Sequence, residues 1–545
     1  MSSKFKKKYL IQLEKYQYIP DKDYTKNINS IGISKTNRLN LVEWIFNLNY
    51  KYNNSLNVFN YCVTLFDTYI SLTSHYYYPD EIQLVICVCY SISCQLLKFY
   101  HDVVSGYLIM MLNKYTKEQF YFVRDQIITE YGGHLIRTSP TFFSNIEMYK
   151  NICAMICFES ELMVYRSSLI SETINYILGN EISDLTHQDS YKLVGVLCEF
   201  IVNIIKKISI SSLNVKIVDL SKVILQIIKK KCPQEMLTAT PKNSINIKKG
   251  LISIKKFNIC ELRNLKEGGN KLGSGISGDV FKLSKDEGLY AVKHNEDEEF
   301  INEISCLKAL VSSCINNLGS NTIVKLEGFQ ILRNDAFLVF EHGNFNLKEA
   351  IEGNKINVNF ASLMKYFEGM LEGLSLIHYY DILHGDLKPE NIVFFNGIPK
   401  IIDFGNAIPF FSIVKENDTL PREYCSLYYR APEIIVSNPI NYNLKIDVWS
   451  LGAIFYFIVS KKEFIPSLLS THTGFSSIGE AYSEVAKNIE SIIEVKKQIM
   501  KKDLKKYYDY YPFISAFLIG NPIKRPTAQE ALDCLIISEQ ENRVL

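Results

Sequence analysis

The sequence lacks a hydrophobic run long enough to cross a membrane. Its most apolar stretch, residues 82–97 (IQLVICVCYSISCQLL), is shorter than the ~20 residues of a spanning helix and contains Gln and Ser. We expect a buried core helix there, with a membrane span as the alternative. The first residues (MSSKFKKKYLIQLEKY) have no apolar signal-peptide segment. We therefore expect an intracellular soluble protein, cytoplasmic or nuclear, with a host cell as one setting.

Metal-site cysteine patterns and a charge excess are also missing. None of the 13 cysteines forms a C-x-x-C pair, and no Cys/His zinc spacing occurs. Free thiols in a reducing compartment are expected rather than disulfides. The 60 basic residues face 58 acidic ones, which leaves a net charge of +2. We therefore expect neither nucleic acid nor a membrane surface as a partner.

Residues 1–230 show the three- and four-residue apolar spacing of helices. Helices are predicted at 39–50, 58–71, 82–97, 120–128, 189–207 and 215–230, with a helix start at Ser139–Pro140–Thr141. The next segment, 231–261, is rich in lysine and includes Pro233, Pro241 and Gly250. Its composition predicts a linker, with a basic nuclear-targeting signal as the alternative.

The pattern changes from about Glu261. Gly-rich turns separate short β-like runs such as AFLVFE (336–341) and PKIIDFG (399–405), and helical spacing returns after about Phe360. This order predicts a small sheet-rich lobe followed by a larger helical lobe.

The segment LGSGISGDV, residues 272–280, contains a G-x-G-x-x-G motif. Glycines there let backbone amides approach phosphate, but the motif alone is weak because dinucleotide-binding folds share it. Here Val280 follows, and Ala291-Val292-Lys293 comes eleven residues later on another predicted strand. A lysine in that place can hold phosphate oxygens as a point charge.

Five more motifs follow in order: HGDLKPEN (384–391), IIDFG (401–405), YYRAPEI (428–434), DVWSLG (447–452) and KRPT (524–527). Together with the glycine motif they resemble the eukaryotic protein kinase fold over residues 262–540. The resemblance implies a bilobal α+β domain that uses ATP and Mg²⁺ to phosphorylate a protein substrate.

The resemblance also implies residue roles. Asp386 would accept the proton of the substrate hydroxyl, and Asn391 and Asp403 would hold Mg²⁺. A lysine two residues after Asp386, here Lys388, is typical of serine/threonine kinases, and it would stabilise the γ-phosphate.

Two ion pairs are implied as well. Lys293 would pair with Glu303, with Glu299 one helical turn earlier as the alternative partner. Glu433 and Arg525 would pair in the large lobe.

In the implied ATP site, Val280, Ala291 and Val393 would sandwich the adenine, Phe340 would stand behind it, and the 341–343 backbone would bind its edge. The ATP-contacting residues expected from the resemblance are Leu272, Gly273, Ser274, Gly275, Ile276, Ser277, Gly278, Asp279, Val280, Ala291, Lys293, Phe340, Glu341, Gly343 and Val393.

Two segments look like those of the cyclin-dependent kinase group. EYCSLYYRAPEII (423–435) is similar to the substrate-side loop of that group, which contains Ser426 and Arg430 here, and INEISCLKAL (301–310) is similar to the tail of its PSTAIRE helix. This likeness implies Ser or Thr followed by Pro as the target.

The first half resembles a cyclin box over residues 35–135. The segments are RLNLVEWI (38–45), VTLFDTYIS (63–71), LVICVCYSIS (84–93) and YTKEQF (115–120). Arg38 and Asp67 are placed to form the buried ion pair of cyclins. Residues 136–230 are expected to be a second cyclin repeat, with an unrelated helical domain as the alternative.

Two cyclin positions that face the kinase helix fall on Gln95 and Arg124. Arg124 would complement the acidic run 296–299, although a solvated charge cluster is the alternative.

The expected protein is thus multi-domain. Residues 1–135 form an extension plus the first cyclin box, and the all-α cyclin-like half acts as a built-in activator of the kinase. The alternative is a pseudokinase scaffold whose cyclin-like half recruits another kinase or a substrate. Asn, Ile, Lys and Tyr, whose codons are A/T-rich, are abundant, which we interpret as an A/T-rich genome such as that of a large DNA virus.

Overall fold

The structure is a computed structural model. It describes residues 33–97, 115–135, 147–157, 170–175, 257–409, 426–464, 493–501 and 510–544, apart from shorter gaps within these ranges. The chain divides into two compact units, Met1–Ile252 and Ser253–Leu545.

The first unit is helical, as expected. Its longer helices are α1 (Lys35–Lys51), α2 (Leu56–Leu72), α3 (Pro79–Leu96), α4 (Lys117–Glu130) and α5 (Glu147–Ile156). Polar caps set their starts: the Ser34 hydroxyl accepts the Asn37 amide ahead of α1, and Thr116 and Gln119 form a capping box ahead of α4. The predictions for 136–146, 189–207, 215–230 and the linker up to 256 lie outside the described residues.

Residues 82–96 fall on α3 and form the buried core helix that was expected. Among the helices that the structure describes, none is both long enough and apolar enough to span a bilayer. The cysteines of this unit that are described are buried free thiols: Cys62, Cys87, Cys89, Cys94, Cys153 and Cys157. Burial raises their thiol pKa values, so these cysteines fill the core rather than react.

A buried ion pair joins three helices of this unit. Arg38 on α1 donates from Nε to Asp67 Oδ1 on α2 at 2.8 Å, and from Nη2 to the Cys157 carbonyl, just after α5, at 3.0 Å. The Arg38 and Asp67 side chains are only 2% and 1% exposed. The pair expected from the cyclin resemblance is therefore formed.

The second unit begins with a small lobe. Its elements are α6 (Ile259–Asn264), β1 (Lys271–Gly275), β2 (Gly278–Lys285), β3 (Gly288–Asn295), α7 (Phe300–Val311), β4 (Leu326–Leu332) and β5 (Asp335–Glu341). The five strands form one antiparallel sheet in the order β1-β2-β3-β5-β4. Asn258 caps α6.

The start of the small lobe corrects the expected linker boundary. Residues up to 261 were assigned to the linker, but Phe257 and Leu262 belong to a buried cluster with Val292 and Phe337 of the sheet. Glu261 also pairs with Lys285 at 2.7 Å. The apolar side chains of Phe257 and Leu262 pack on the sheet, so this stretch is part of the small lobe.

The large lobe is mainly helical. Its helices are α8 (Leu347–Glu352), α9 (Phe360–Tyr379), α10 (Pro432–Val436), α11 (Lys445–Ser460), α12 (Tyr511–Phe517) and α13 (Ala528–Val544). Its strands are β6 (Phe345–Asn346), β7 (Ile382–Leu383), β8 (Ile392–Phe395), β9 (Ile398–Ile401) and β10 (Ile408–Pro409), paired as β6-β8-β9 and β10-β7. Helix α11 is buried along nearly its whole length, and Phe367 of α9 stacks on its Phe455. The all-α first half and the bilobal second half are both confirmed.

The Arg38–Asp67 pair gives a stability prediction. Asp67→Asn leaves the buried Arg38 charge uncompensated, so the first unit should lose about 3–5 kcal/mol of unfolding free energy. The chain has two tryptophans. In a Trp449→Phe background, Trp44 on α1 therefore reports the first unit during urea unfolding. Glu130→Gln, which changes an exposed acid, should shift the midpoint little, and an equal shift for both variants would contradict the role of the pair.

Candidate active site

The glycine motif forms the β1–β2 hairpin. Gly273 faces Val280 and Gly275 faces Gly278 across the two strands. Gly278 has φ +123°, and a Cβ there would lie 2.2 Å from the His294 carbonyl oxygen, so a side chain is excluded. Ile276 and Ser277, at the turn, lie outside the described residues. The hairpin thus keeps bare backbone where the sequence predicted phosphate contacts.

The hairpin also has a polar link between its strands. The Ser274 hydroxyl donates to Asp279 Oδ1 at 2.6 Å, and Asp279 pairs with Lys271 at 2.9 Å. Leu272 is half exposed.

Residues predicted to surround the adenine come from several strands. Ala291 on β3 is paired with Phe340 on β5, and Val280 on β2 is paired with Lys293. Gly343 follows β5, and a Cβ on it would lie 2.2 Å from Val393 Cγ1 on β8. Residues 341–343, the hinge that joins the two lobes, therefore pack directly on β8 at Gly343.

The Lys293 ammonium joins three parts of the unit. It donates to Glu303 Oε2 on α7 at 2.8 Å and to Asp403 Oδ1 after β9 at 2.6 Å. Burial opposes the charge on Lys293, but the two carboxylates outweigh it and raise the pKa of Lys293. Burial likewise opposes ionisation of Asp403, yet Lys293 holds the pKa of Asp403 below its usual value. Burial raises the pKa of Glu303, and Lys293 opposes this rise. Glu303 is thus an observed partner of Lys293, while Glu299, the alternative, lies outside the described residues.

The catalytic-loop residues of the HGDLKPEN motif converge on Asp386. Lys388 Nζ lies 2.6 Å from Asp386 Oδ2, and Asn391 Nδ2 donates to the Asp386 carbonyl at 2.8 Å. Ser426 donates to Asp386 Oδ1 from its hydroxyl at 2.7 Å and from its amide at 3.0 Å. The Ile402 amide donates to the Asn391 carbonyl at 3.0 Å, which ties this loop to the residue before Asp403.

Asp447 holds the backbone of the same loop through hydrogen bonds, a role that was not predicted from the sequence. Its carboxylate, 1% exposed, accepts the amides of His384 and Gly385 at 2.8 and 2.9 Å, and His378 Nε2 lies 3.0 Å away. The DVWSLG motif contained the residue, but spacing alone did not indicate what it holds.

The substrate-side loop is fixed to the large lobe. Arg430, within this loop, is buried. Arg525 donates from Nη1 and Nη2 to the two carboxylate oxygens of Glu433 at 2.9 and 3.0 Å, so the implied pair is formed. The Arg525 guanidinium also lies 5.2 Å from the Trp449 ring.

The donor set fits magnesium held together with phosphate. Asn391 and Asp403 offer amide and carboxylate oxygens, which a hard cation prefers. Within the part of the chain that the structure describes, no group of three or more His, Cys, Asp or Glu side chains could hold a metal alone. Magnesium commonly relies on one or two protein oxygens plus substrate phosphates, so the two residues suffice.

Known proteins match both halves of the chain. The protein kinase domain family matches residues 267–535, and the N-terminal domain family of cyclins matches residues 6–133. The second unit is therefore a protein kinase domain. The chain thus combines a C-terminal protein kinase domain with an N-terminal cyclin domain.

The kinase half has serine/threonine-kinase homologues. A putative serine/threonine-protein kinase of Acanthamoeba polyphaga mimivirus is 29% identical over 280 residues, 48% of this chain and 49% of that protein. Cyclin-dependent kinase 2 of Caenorhabditis elegans is 34% identical over 218 residues, 38% of this chain and 55% of that protein. Mouse dual specificity protein kinase TTK is 30% identical over 285 residues, 48% and 30% of the two chains. The chain thus spans about half or less of these relatives.

Asp447 gives a prediction for the site. Asp447→Asn keeps the shape but places an amide where two backbone N–H groups need an acceptor, so the kinase unit should lose about 1.5–3 kcal/mol of unfolding free energy. In a Trp44→Phe background, Trp449 on the same helix reports this unit during urea unfolding. Asp533→Asn, the same change at an exposed site, is the control. Equal stability of the two variants would contradict the anchoring role.

Proposed function

We propose that the chain transfers the γ-phosphoryl group of ATP to Ser or Thr hydroxyls of proteins. The observation that carries this proposal is the convergence of Lys388, Asn391 and Ser426 on Asp386. A carboxylate held from several sides can accept a proton from a hydroxyl in a fixed position.

Each residue of the site has a chemical task in this reaction. Asp386 orients the acceptor hydroxyl and takes its proton, while Lys388 stabilises charge on the transferring group. Lys293, kept in place by Glu303, binds phosphate oxygens. Asn391 and Asp403 would hold the magnesium ion, which when bound neutralises charge on the phosphates.

A scaffold without catalysis is the alternative. Against it, every residue that phosphoryl transfer needs is present, and the Lys293–Glu303 pair is formed. A chain that only bound partners would not require this set of charged groups around one carboxylate.

The first test is Asp386→Asn. It removes the base and keeps the size of the side chain, so phosphate transfer should fall by roughly 10²–10⁴-fold. The measurement is label transfer from radioactive ATP to a mixed protein substrate by purified full-length chain, with Asp533→Asn as control. Wild-type transfer by Asp386→Asn would show that this carboxylate is not the base.

We further propose that the cyclin domain acts as a built-in activator. Helix α7 has apolar residues on all sides, including Ile301 and Ala309 away from Glu303. A helix of this kind needs cover on more than one face. A tethered partner has an effective concentration of order millimolar, so docking in cis would be nearly constitutive.

Two changes test activation in cis. Deleting residues 1–230 should lower the transfer rate sharply, because α7 is released and Glu303 leaves Lys293. A fully active kinase fragment would reject the proposal. Arg124, buried beside Asp125 and 4.6 Å from the Tyr121 ring, is the narrower target. Arg124→Glu should also lower the rate if this residue complements the acids at 296–299, which lie outside the described residues.

The preferred acceptor is proposed to be Ser or Thr followed by Pro. The support is the likeness of 423–435 to the loop of proline-directed kinases and the buried Arg430 within it. An oriented peptide library should show enrichment of Pro directly after the acceptor. Equal phosphorylation of all residues at that position would rule out this specificity and leave the kinase activity untouched.

A further inference from the structure

Glu341 ends β5 where the chain leaves the small lobe. Its carboxylate accepts two hydrogen bonds from Lys400 Nζ, 2.8 Å to Oε1 and 2.9 Å to Oε2. The Lys325 amide donates to the same Oε1 at 2.8 Å, and the Glu341 amide donates to the Lys325 carbonyl at 3.2 Å. One carboxylate therefore joins β5, the residue before β4, and β9 of the large lobe.

Lys400 is held firmly within the large lobe. Its side chain is 9% exposed, and Nζ lies 4.8 Å from the centre of the Phe395 ring. The next residue, Ile401, is paired with Ile392 of β8, another strand of the large lobe. The strand ends there, two residues before Asp403. A charge fixed in this way cannot follow the hinge if the hinge moves.

The hinge backbone also lies close against the large lobe. The missing side chain of Gly343 lets it approach Val393, which is paired with Lys400 across β8 and β9. The packing at Gly343 and the ion pair at Glu341 thus hold the hinge at two successive places on the same pair of strands.

We infer that Lys400 is a positioning residue for nucleotide binding, because its ion pair with Glu341 fixes the hinge backbone relative to the strand that leads to Asp403. The inference rests on the proposed function, in which residues 341–343 hold the adenine edge and Asp403 holds the metal–phosphate end. Both ends of the nucleotide then meet groups whose separation is set before binding. Pre-organisation of this kind lowers the entropy lost on binding, and charge-assisted hydrogen bonds are strong enough to maintain it.

The test is Lys400→Met, which keeps the side-chain length and removes the charge. Binding of a magnesium–non-hydrolysable ATP analogue to the full-length chain is measured by calorimetry, next to phosphorylation kinetics. The Kd for the analogue and the KM for ATP should rise about tenfold, while kcat and the KM for the protein substrate stay within twofold. Lys400→Arg, which restores the charge, should recover most of the affinity.

A matched control is Lys355→Met. Lys355 also lies near a carboxylate and a phenylalanine ring, 3.6 Å from Glu349 and 5.3 Å from the centre of the Phe345 ring, but it does not contact Glu341. Its replacement should leave nucleotide affinity unchanged. Glu341→Gln should match Lys400→Met, and the double variant should lose little more than either single variant.

The outcomes are distinguishable. Wild-type affinity in Lys400→Met overturns the inference and leaves the kinase proposal intact. An equal loss of affinity and kcat in both Lys400→Met and Lys400→Arg indicates a folding defect and also overturns it. If the wild-type chain does not bind the analogue, the proposed function itself fails.

Discussion

The contact of Lys293 with Glu303 and Asp403 is the interaction on which the kinase unit depends. It joins strand β3, helix α7 and the segment after β9, which are far apart in sequence. A buried ammonium is tolerated only when anions surround it, so the three elements reach a low free energy together rather than one by one. After Asp403, strand β10 pairs with β7. Further along the chain, the Ser426 hydroxyl of the substrate-side loop donates a hydrogen bond to Asp386.

The same physical constraint recurs in the first unit. Arg38 and Asp67 are buried among helices, and the Cys157 carbonyl takes a further hydrogen bond from the arginine. In each unit, a charge that would be costly alone determines which elements must come together. Such pairs specify one arrangement more than they add net stability.

The motif residues were the part of the site that the sequence could predict. Lys293, Asp386, Asn391 and Asp403 stand in strings whose order is diagnostic, and helical spacing predicted α1 to α4 of the first unit. The Glu341–Lys400 pair was not predictable, because its partners are 59 residues apart and the runs that contain them do not indicate that the two side chains meet. Asp447 was visible within a motif, but its task depends on tertiary contacts. The first half of helix α6, up to residue 261, was assigned to the linker because the lysine-rich composition before it concealed a short apolar pattern.

The most direct test of the account is the rate of phosphate transfer by Glu303→Gln in the full-length chain. Gln keeps the size of the side chain but takes one carboxylate away from Lys293, so kcat/KM for ATP should fall tenfold or more, equivalent to ~1.4 kcal/mol of transition-state stabilisation. Glu349→Gln, which changes an exposed acid of the large lobe, should retain the wild-type rate. An unchanged kcat/KM in Glu303→Gln would contradict the central place given to the Lys293 contacts.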